Sequence, residues 1–315
     1  MKIRNLESND WKKVITLWNQ TLWADKIYED LFIQKFLLEP NFDRNGFFVA
    51  EENGELKGAA ISFCRVFDQP WGYEGLTAQQ LDKGFLVPLL IKETPEGIEL
   101  GRTLLEKAES YLKGKGRKTV SVCEYNPLFC INGVDRNIYP GIHALFTENG
   151  YTESRVSYSM KADLNKFKIS DEILEIISSL ERENITFIQY SPDEMLRIRE
   201  FFMKEFPRFM GHFTYKIITK APAEEMLFVK QGEEIVGYCQ YNYYGQPDRV
   251  GPFGVASSMR SKKLGQAMVA KLLERITCRG FQTAYFLSCR DELRHFYGKN
   301  GFEVFKGKSI FEKQI

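Results

Sequence analysis

The sequence is poor in the residues that most often bind metals or act as nucleophiles. Its 315 residues contain only three histidines and six cysteines, and no two cysteines form a CxxC pair. The cysteines mostly lie inside apolar runs such as SVCEY and YFLSC, which is typical of reduced, buried thiols. We therefore expect no metal site and no cysteine nucleophile.

Long apolar runs and an excess of one charge are also missing. The chain has forty-three lysines and arginines and forty-two aspartates and glutamates. This balance argues against a broad surface for binding nucleic acid or membrane. No run approaches about 18 apolar residues, and the start, MKIRNLESNDW, lacks the apolar centre of a signal peptide. We expect a cytoplasmic protein without nucleic-acid or membrane partners. Neither a P-loop nor a Rossmann glycine pattern is present.

What the sequence does contain is an internal repeat. The length favours two domains, and three segments recur in the same order in both halves. The pairs are 47–63 with 227–243, 95–108 with 259–273, and 145–154 with 296–305. Three ordered matches indicate a tandem duplication.

Each half follows a mixed α/β (α+β) plan, in which helices flank a mixed sheet. Asn53-Gly54 lies between apolar runs and predicts a hairpin, while Asp10 or Ser8 and then Ser170 are candidate helix N-caps. We predict two domains, residues 1–164 and 165–315.

The segment 251–273 runs from an apolar strand through a cationic turn into an amphipathic helix. The turn brings Arg260, Lys262 and Lys263 beside Gly265, where the helix presents unpaired amides and the positive end of its dipole. The pattern predicts a site for a phosphorylated ligand. Taken alone, such a turn is more often just solvated.

Two motifs in the second half resemble those of the GNAT superfamily of acyl-CoA-dependent N-acyltransferases. Val255, Arg260 and Gly265 match V-x-P-x-x-(Q/R)-x-x-G-x-(G/A), which binds the CoA pyrophosphate in that family. A second set matches the family's tyrosine segment: Phe296, Tyr297, Gly301 and Phe302. Through the repeat, the resemblance extends to the first half and implies two tandem GNAT-like domains.

The resemblance implies acetyl-CoA as co-substrate and a binding set in the second half. That set is Phe253, Gly254, Val255, Arg260, Ser261, Lys262, Lys263, Leu264, Gly265, Gln266 and Arg290. The sequence departs from the family pattern at four points. Ser257 replaces a proline, Lys263 replaces the first glycine, Arg290 replaces an asparagine, and Leu293 replaces a small alanine.

Acyl transfer to an amine needs a polarised carbonyl and a proton for the departing thiolate. By the resemblance, the strand at 253–255 is splayed from its neighbour and offers a backbone amide to the carbonyl. Tyr297 is the predicted proton donor, although a lone FY pair is more often core packing. The base stays open among His212, Glu205, Asp248 and a water relay.

We expect a small-molecule amine acceptor and a monomer or homodimer. The alternative is a non-catalytic acyl-CoA-binding or scaffold protein.

The first half departs further from the motifs. Glu96 and Glu99 take the places of Arg260 and Lys263, and Phe146 takes that of Tyr297. Two like charges about 4 Å apart cost about 4 kcal/mol at an effective dielectric near 20, more than the roughly 1 kcal/mol that a helix N-terminus offers an anion. We predict that the first half neither binds acyl-CoA well nor catalyses, and that it shapes the acceptor site or stands in for a second subunit.

Overall fold

The structure is a computed structural model that describes residues 1–66, 78–125 and 130–315. Its helices are α1 (Trp11–Thr21), α2 (Glu29–Phe32), α3 (Ala78–Asp82), α4 (Pro95–Gly114), α5 (Pro140–Glu148), α6 (Asp171–Arg182), α7 (Met195–Glu205), α8 (Phe209–Ile218), α9 (Leu264–Cys278) and α10 (Asp291–Gly298). Its strands are β1 (Lys2–Asn5), β2 (Phe47–Glu52), β3 (Glu55–Cys64), β4 (Lys83–Leu90), β5 (Thr119–Val122), β6 (Val134–Asp135), β7 (Thr152–Asp163), β8 (Ile185–Gln189), β9 (Met226–Gln231), β10 (Glu234–Gln240), β11 (Phe253–Val255), β12 (Thr283–Cys289) and β13 (Phe302–Gln314). The predicted mixed α/β class is confirmed.

The described residues divide into two compact units. The first contains 1–66, 78–125, 130–157 and 306–315, and the second contains 158–305. The predicted domains, 1–164 and 165–315, differ from these units most at the end of the chain, because the last ten residues pack in the first unit. Phe311 is fully buried in its core, and Lys306 Nζ lies 2.7 Å from Asp25 Oδ1.

In the first unit, β1 to β4 form an antiparallel series and β5 joins β4 in parallel. The C-terminal strand β13 pairs antiparallel with β5, from Phe311 opposite Val122 to Gln314 opposite Thr119. The predicted hairpin turn between β2 and β3 is confirmed, since Asn53 and Gly54 both have positive φ, 52° and 80°.

In the second unit, β8, β9, β10 and β11 form a four-stranded antiparallel sheet. The strand β12 pairs with the last residues of β7, from Tyr158 to Asp163. The helix α9, which begins at the predicted cationic turn, buries one face in the core of this unit.

The two units repeat close backbone approaches at equivalent glycines. A methyl group on Gly58 of β3 would stand 2.9 Å from Leu104 Cδ1, and one on Gly237 of β10 would stand 2.7 Å from Met268 Sδ. Both partners lie on the long helix after the next strand of their unit. Because a glycine is needed at the same contact twice, the two halves follow one packing plan.

Helix capping follows the prediction at one position and not at another. Ser170 Oγ accepts a hydrogen bond from the Ile173 amide at the start of α6, which confirms the predicted cap. Asp10 precedes α1 but makes no side-chain cap, because its carboxylate binds the Arg4 guanidinium and the Glu7 amide instead. The nearby arginine competes successfully for the acid.

All six cysteines are free thiols. Within the described ranges, no three His, Cys, Asp or Glu side chains are placed to hold a metal ion. No helix in the part of the chain that the structure covers is long and apolar enough to cross a membrane.

Candidate functional site

In the second unit, the segment that leads into β11 lies beside β12, and among the residues that the structure describes the two strands are not paired with each other after it. The Val250 amide donates to the Tyr285 carbonyl at 2.8 Å, and the Tyr285 amide donates to the Asp248 carbonyl at 3.0 Å. Beyond this point β11 pairs with β10 and β12 pairs with β7. A V-shaped gap therefore opens between β11 and β12.

One edge of β11 faces this gap with free backbone groups. The Ala256 amide donates to the Val236 carbonyl at 2.8 Å, which sets the alternation of hydrogen bonds between β10 and β11. By that alternation, the amides and carbonyls of Phe253 and Val255 point away from β10. In the described part of the chain these groups have no hydrogen-bond partner. They can bind an extended ligand as a further strand would.

The turn after β11 adds a cluster of unpartnered amides. Ser261 and Lys263 adopt the left-handed conformation, with φ of 79° and 58°. No side chain caps α9, and among the described residues the backbone N–H groups of Ser261, Lys263, Leu264 and Gly265 have no hydrogen-bond partner. Successive amides in such a turn, at the start of a long helix, form an anion-binding concavity.

The cations of this turn differ in their pairing. Lys262 Nζ lies 2.9 Å from Glu183 Oε2, and Lys263 Nζ lies 3.7 Å from Glu172 Oε1, with all four side chains exposed. Arg260 is exposed and forms no ion pair within the described residues. The two lysines are therefore partly neutralised, and Arg260 is the most available cation for an anionic ligand.

A glycine in the first turn of α9 keeps the site compact. A methyl group on Gly265 would stand 3.1 Å from Phe296 Cζ, so glycine lets α9 approach α10 closely.

Gln266 follows Gly265 in the first turn of α9 and is partly exposed. Arg290 lies between β12 and α10 with an exposed side chain and no side-chain cap.

Tyr297 lies among aromatic rings that come from both sides of the gap. Its ring centroid is 6.2 Å from that of Phe253 on β11 and 4.6 Å from that of Phe286 on β12. Burial raises the pKa of the Tyr297 phenol well above its usual value near 10. The phenol has no hydrogen-bond partner among the described residues, so it stays protonated and available as a donor.

The three candidate bases have different surroundings. Glu205 accepts hydrogen bonds from the Ser257 amide and hydroxyl, and Asp248 accepts one from the Thr283 hydroxyl at 2.6 Å. His212 Nδ1 lies 3.2 Å from the Tyr243 hydroxyl, within a cluster of tyrosine rings. Glu205 and Asp248 thus have structural partners.

The corresponding turn of the first unit is closed by its own residues. Thr94 Oγ1 accepts a hydrogen bond from the Gly97 amide at 3.2 Å and caps α4. Glu96 and Glu99 are exposed in the first turns of this helix, as expected from their charge. The Thr94 cap was not among the predicted caps, although a threonine before Pro95 is a recognisable helix start signal.

The position that corresponds to Tyr297 is part of the core in the first unit. Phe146 is almost fully buried, and its ring stacks on Phe311 of β13 with centroids 5.5 Å apart. The repeat is also visible in the packing here. A methyl group on Gly101 would stand 2.7 Å from Leu145 Cδ1, the same approach that Gly265 makes to Phe296.

Comparisons with known proteins point to one family. Residues 194–302 match the sequence profile of the acetyltransferase (GNAT) family. No curated protein shows significant sequence similarity to the chain.

Several solved structures share the fold of the whole chain. One is described as a GCN5-related glucosamine N-acetyltransferase region of a fungal multi-domain GH3 β-N-acetylglucosaminidase; its TM-score is 0.78 at 16% identity, over 99% of this chain but 38% of that one. A GCN5-related N-acetyltransferase from Sphaerobacter thermophilus has a TM-score of 0.66 at 15% identity, over 99% and 95% of the two chains. A tandem GNAT protein from the clavulanic acid biosynthesis pathway has a TM-score of 0.65 at 13% identity, over 99% and 98%. At these identities the likeness concerns the fold, which is that of tandem GNAT proteins.

Proposed function

Because residues 194–302 form a GNAT acetyltransferase domain within a tandem GNAT fold, we propose that the protein transfers an acetyl group from acetyl-CoA to an amine. The second unit carries the reaction. One observation supports this most directly: the free edge of β11 leads into the turn of unpartnered amides at the start of α9. An extended thioester ligand can lie along the free edge of β11, and a pyrophosphate at its far end then reaches the amides of the turn.

The donor is bound by backbone groups and one cation. The pantetheine amides pair with the free groups of Phe253 and Val255, as a strand pairs with a sheet edge. The pyrophosphate binds the amides of Ser261, Lys263, Leu264 and Gly265, with Gln266 at the next position and Arg260 adding charge. Lys262, Lys263 and Arg290 contribute less specific attraction at the exposed rim.

The reaction forms a C–N bond and breaks a C–S bond. The lone pair of the neutral amine attacks the thioester carbonyl carbon, and a backbone amide at the edge of β11 stabilises the charge on the carbonyl oxygen. Collapse releases the CoA thiolate, which takes a proton from the Tyr297 phenol. The proton lost by the amine leaves through water or His212, and solvent reprotonates the phenolate.

Tyr297 suits this role because it lies beside β11 and still carries its proton when the thiolate forms. Burial raises the pKa of the phenol, so the free protein holds it protonated at neutral pH. A thiolate that leaves inside the same apolar surroundings is likewise destabilised, which favours the proton transfer.

The first unit is proposed to be non-catalytic. Thr94 already uses an amide of the α4 N-terminus, two glutamates stand near it, and Phe146 has no proton to donate.

The acceptor is proposed to be a small-molecule amine. One neighbour in fold is described as a glucosamine N-acetyltransferase region, so amino sugars form one arm of a test panel, beside amino acids, polyamines and aminoglycosides. Each amine is incubated with acetyl-CoA, and the free thiol released is followed with a thiol reagent.

Donor binding tests the site itself. Isothermal titration should show that CoA and acetyl-CoA bind the wild type, and that Arg260→Glu weakens both by about tenfold or more. Lys107→Glu makes the same change of charge on the exposed face of α4 and should leave binding unchanged. Equal binding by the Arg260→Glu variant would refute the placement of the pyrophosphate.

The alternative, a non-catalytic acyl-CoA-binding protein, gives a different pattern. It predicts binding of acetyl-CoA that depends on Arg260 but no thiol release with any amine of the panel. Thiol release that depends on an amine excludes it.

A further inference from the structure

Two phenylalanine rings cover one face of β11 next to its free edge. A methyl group on Gly254 would stand 2.7 Å from Phe206 Cε2 and 2.8 Å from Phe209 Cε2. The two rings stack on each other with centroids 4.8 Å apart and an angle of 8° between their planes. Both are partly exposed, so they line the surface of the core rather than its interior.

These rings leave no room for a carbon chain over Gly254. Carbon atoms in contact lie about 3.5–4.0 Å apart, so a chain would have to keep that distance from the strand and from both rings. The rings are also held from behind. Phe202 lies behind Phe209 with ring centroids 6.4 Å apart, and Phe201 lies beside Phe206 at 5.6 Å.

For a thioester bound at β11, the space around its acyl end is also limited on the opposite face of the strand and at the closed end of the gap. On the opposite face of β11, the ring of Phe253 packs against Phe296 and Tyr297, with centroids 5.9 and 6.2 Å away. At the closed end of the gap, Arg249 pairs with Tyr285 through the backbone. An acyl group bound at the free edge of β11 is thus enclosed on three sides.

We propose that Phe206 and Phe209 restrict the donor to short acyl groups, and that they act as the residues that select acetyl-CoA over longer acyl-CoA thioesters. This inference rests on the proposed function. It names a specificity that the family match does not provide, because it depends on the residues at the corner between α7 and α8.

The corner is anchored to the donor site. Glu205, the last residue of α7, accepts hydrogen bonds from the amide and the hydroxyl of Ser257 at 2.9 and 3.2 Å. Phe206 is its direct neighbour. The rings are therefore tied to the same segment that leads from β11 to the amide turn.

At the equivalent strand pair, the first unit has a different arrangement of large and small side chains. There Leu90 of β4 lies opposite Ala59 of β3, whereas in the second unit Gly254 lies opposite Tyr238. The larger residue of the pair is therefore on β4 in the first unit, but on β10, the equivalent of β3, in the second unit. The glycine makes space on β11, and Phe206 and Phe209 fill that space from the helical side.

Titration with a series of thioesters tests the proposal. CoA, acetyl-CoA, butyryl-CoA and hexanoyl-CoA differ only in the acyl group, so their affinities for the wild type isolate its contribution. We expect hexanoyl-CoA to bind about tenfold or more weakly than acetyl-CoA. Phe206→Ala and Phe209→Ala should reduce this ratio to about threefold or less, with the affinity for CoA unchanged.

Leu196→Ala is the matched control, because Leu196 lies on α7 with 76% of its surface exposed. It should retain the wild-type ratio. Wild-type protein that binds hexanoyl-CoA as tightly as acetyl-CoA overturns the proposal, even if a phenylalanine variant fails to fold. Unchanged ratios in folded variants also overturn it. Wild-type protein that does not bind CoA at all would instead contradict the proposed function.

Discussion

Glu205 accepts two hydrogen bonds from Ser257, one from its amide at 2.9 Å and one from its hydroxyl at 3.2 Å. This contact joins the end of α7 to the turn that follows β11. We propose that Glu205, which sequence reasoning offered as one candidate general base, instead positions the turn after β11.

We expect Glu205→Gln to preserve the shape of the pH profile of turnover. The amide oxygen of glutamine can still accept one hydrogen bond from Ser257, so the affinity for acetyl-CoA should fall by less than about tenfold. The measurements are the pH dependence of kcat with the best amine of the panel and the KM for acetyl-CoA. Disappearance of the acidic limb of the profile would restore Glu205 as a base.

Replacement of Tyr297 by phenylalanine should affect chemistry and not binding. General acid catalysis contributes about 10²-fold or more, so kcat should fall by about that factor while the Kd of CoA stays nearly constant. Tyr190→Phe, in a ring pair with Phe213 elsewhere in the second unit, is the control. Unchanged turnover would exclude the phenol as the acid.

The raised pKa of Tyr297 also predicts a pH effect. Because burial raises the pKa above its usual value near 10, the phenol is protonated throughout the range from pH 7 to 10. Wild-type kcat should therefore show no loss from deprotonation of Tyr297 in that range. A basic limb below pH 10 that Tyr297→Phe removes would contradict this expectation.

Two substitutions in one strand should destabilise different units. Phe311 is fully buried in the first core and Phe302 is 3% exposed in the second, although both belong to β13. Each change to alanine should cost about 3–5 kcal/mol. Hydrogen exchange should speed up in β4 and β5 for Phe311→Ala, and in β12 and α9 for Phe302→Ala. The same exchange pattern in both variants would contradict the assignment of the C-terminal residues to the first unit.

The stability of the first unit should decrease in acid through one buried ion pair. Arg4 lies next to Asp10, with Nη2 3.0 Å from Oδ1, and its hydrogen bonds hold the pKa of that carboxyl below its usual value. A lowered folded-state pKa contributes stability above the unfolded pKa, near 3.9, that is lost as the pH falls through the folded value.

Asp10→Asn should therefore lose less stability than the wild type between pH 6 and pH 3. The measurement is the urea midpoint at each pH, followed by tryptophan fluorescence. Glu96→Gln, which changes an exposed acid of the same unit, is the control. An acid sensitivity that is identical in Asp10→Asn and wild type would contradict the role of the pair.

Local patterns in the sequence predicted much of the local structure and the helix at which the candidate site begins. The hairpin at Asn53-Gly54, the cap at Ser170 and the amphipathic helix after the cationic turn all depend on neighbours in the chain, and all are present. The repeat was visible because equivalent contacts need the same residues twice, as Gly58 and Gly237 illustrate. The splay of β11 was implied by the resemblance and agrees with its pairing.

Other features depended on partners that are distant in the sequence. The lysines of the turn, for example, form ion pairs with glutamates about 80 to 90 residues earlier. Asp10 failed as a cap for a more local reason, because Arg4 of β1, six residues before it, binds its carboxylate. Such competition between side chains cannot be predicted from the composition or from the spacing of residues.

By itself, the sequence determined the duplicated plan, the family resemblance and the half that retained Arg260 and Tyr297, because these follow from residue order. Tertiary structure decided that the last ten residues pack with the first unit and that Phe206 and Phe209 stand over Gly254. Both features are packing choices between segments far apart in the chain, which no local pattern specifies.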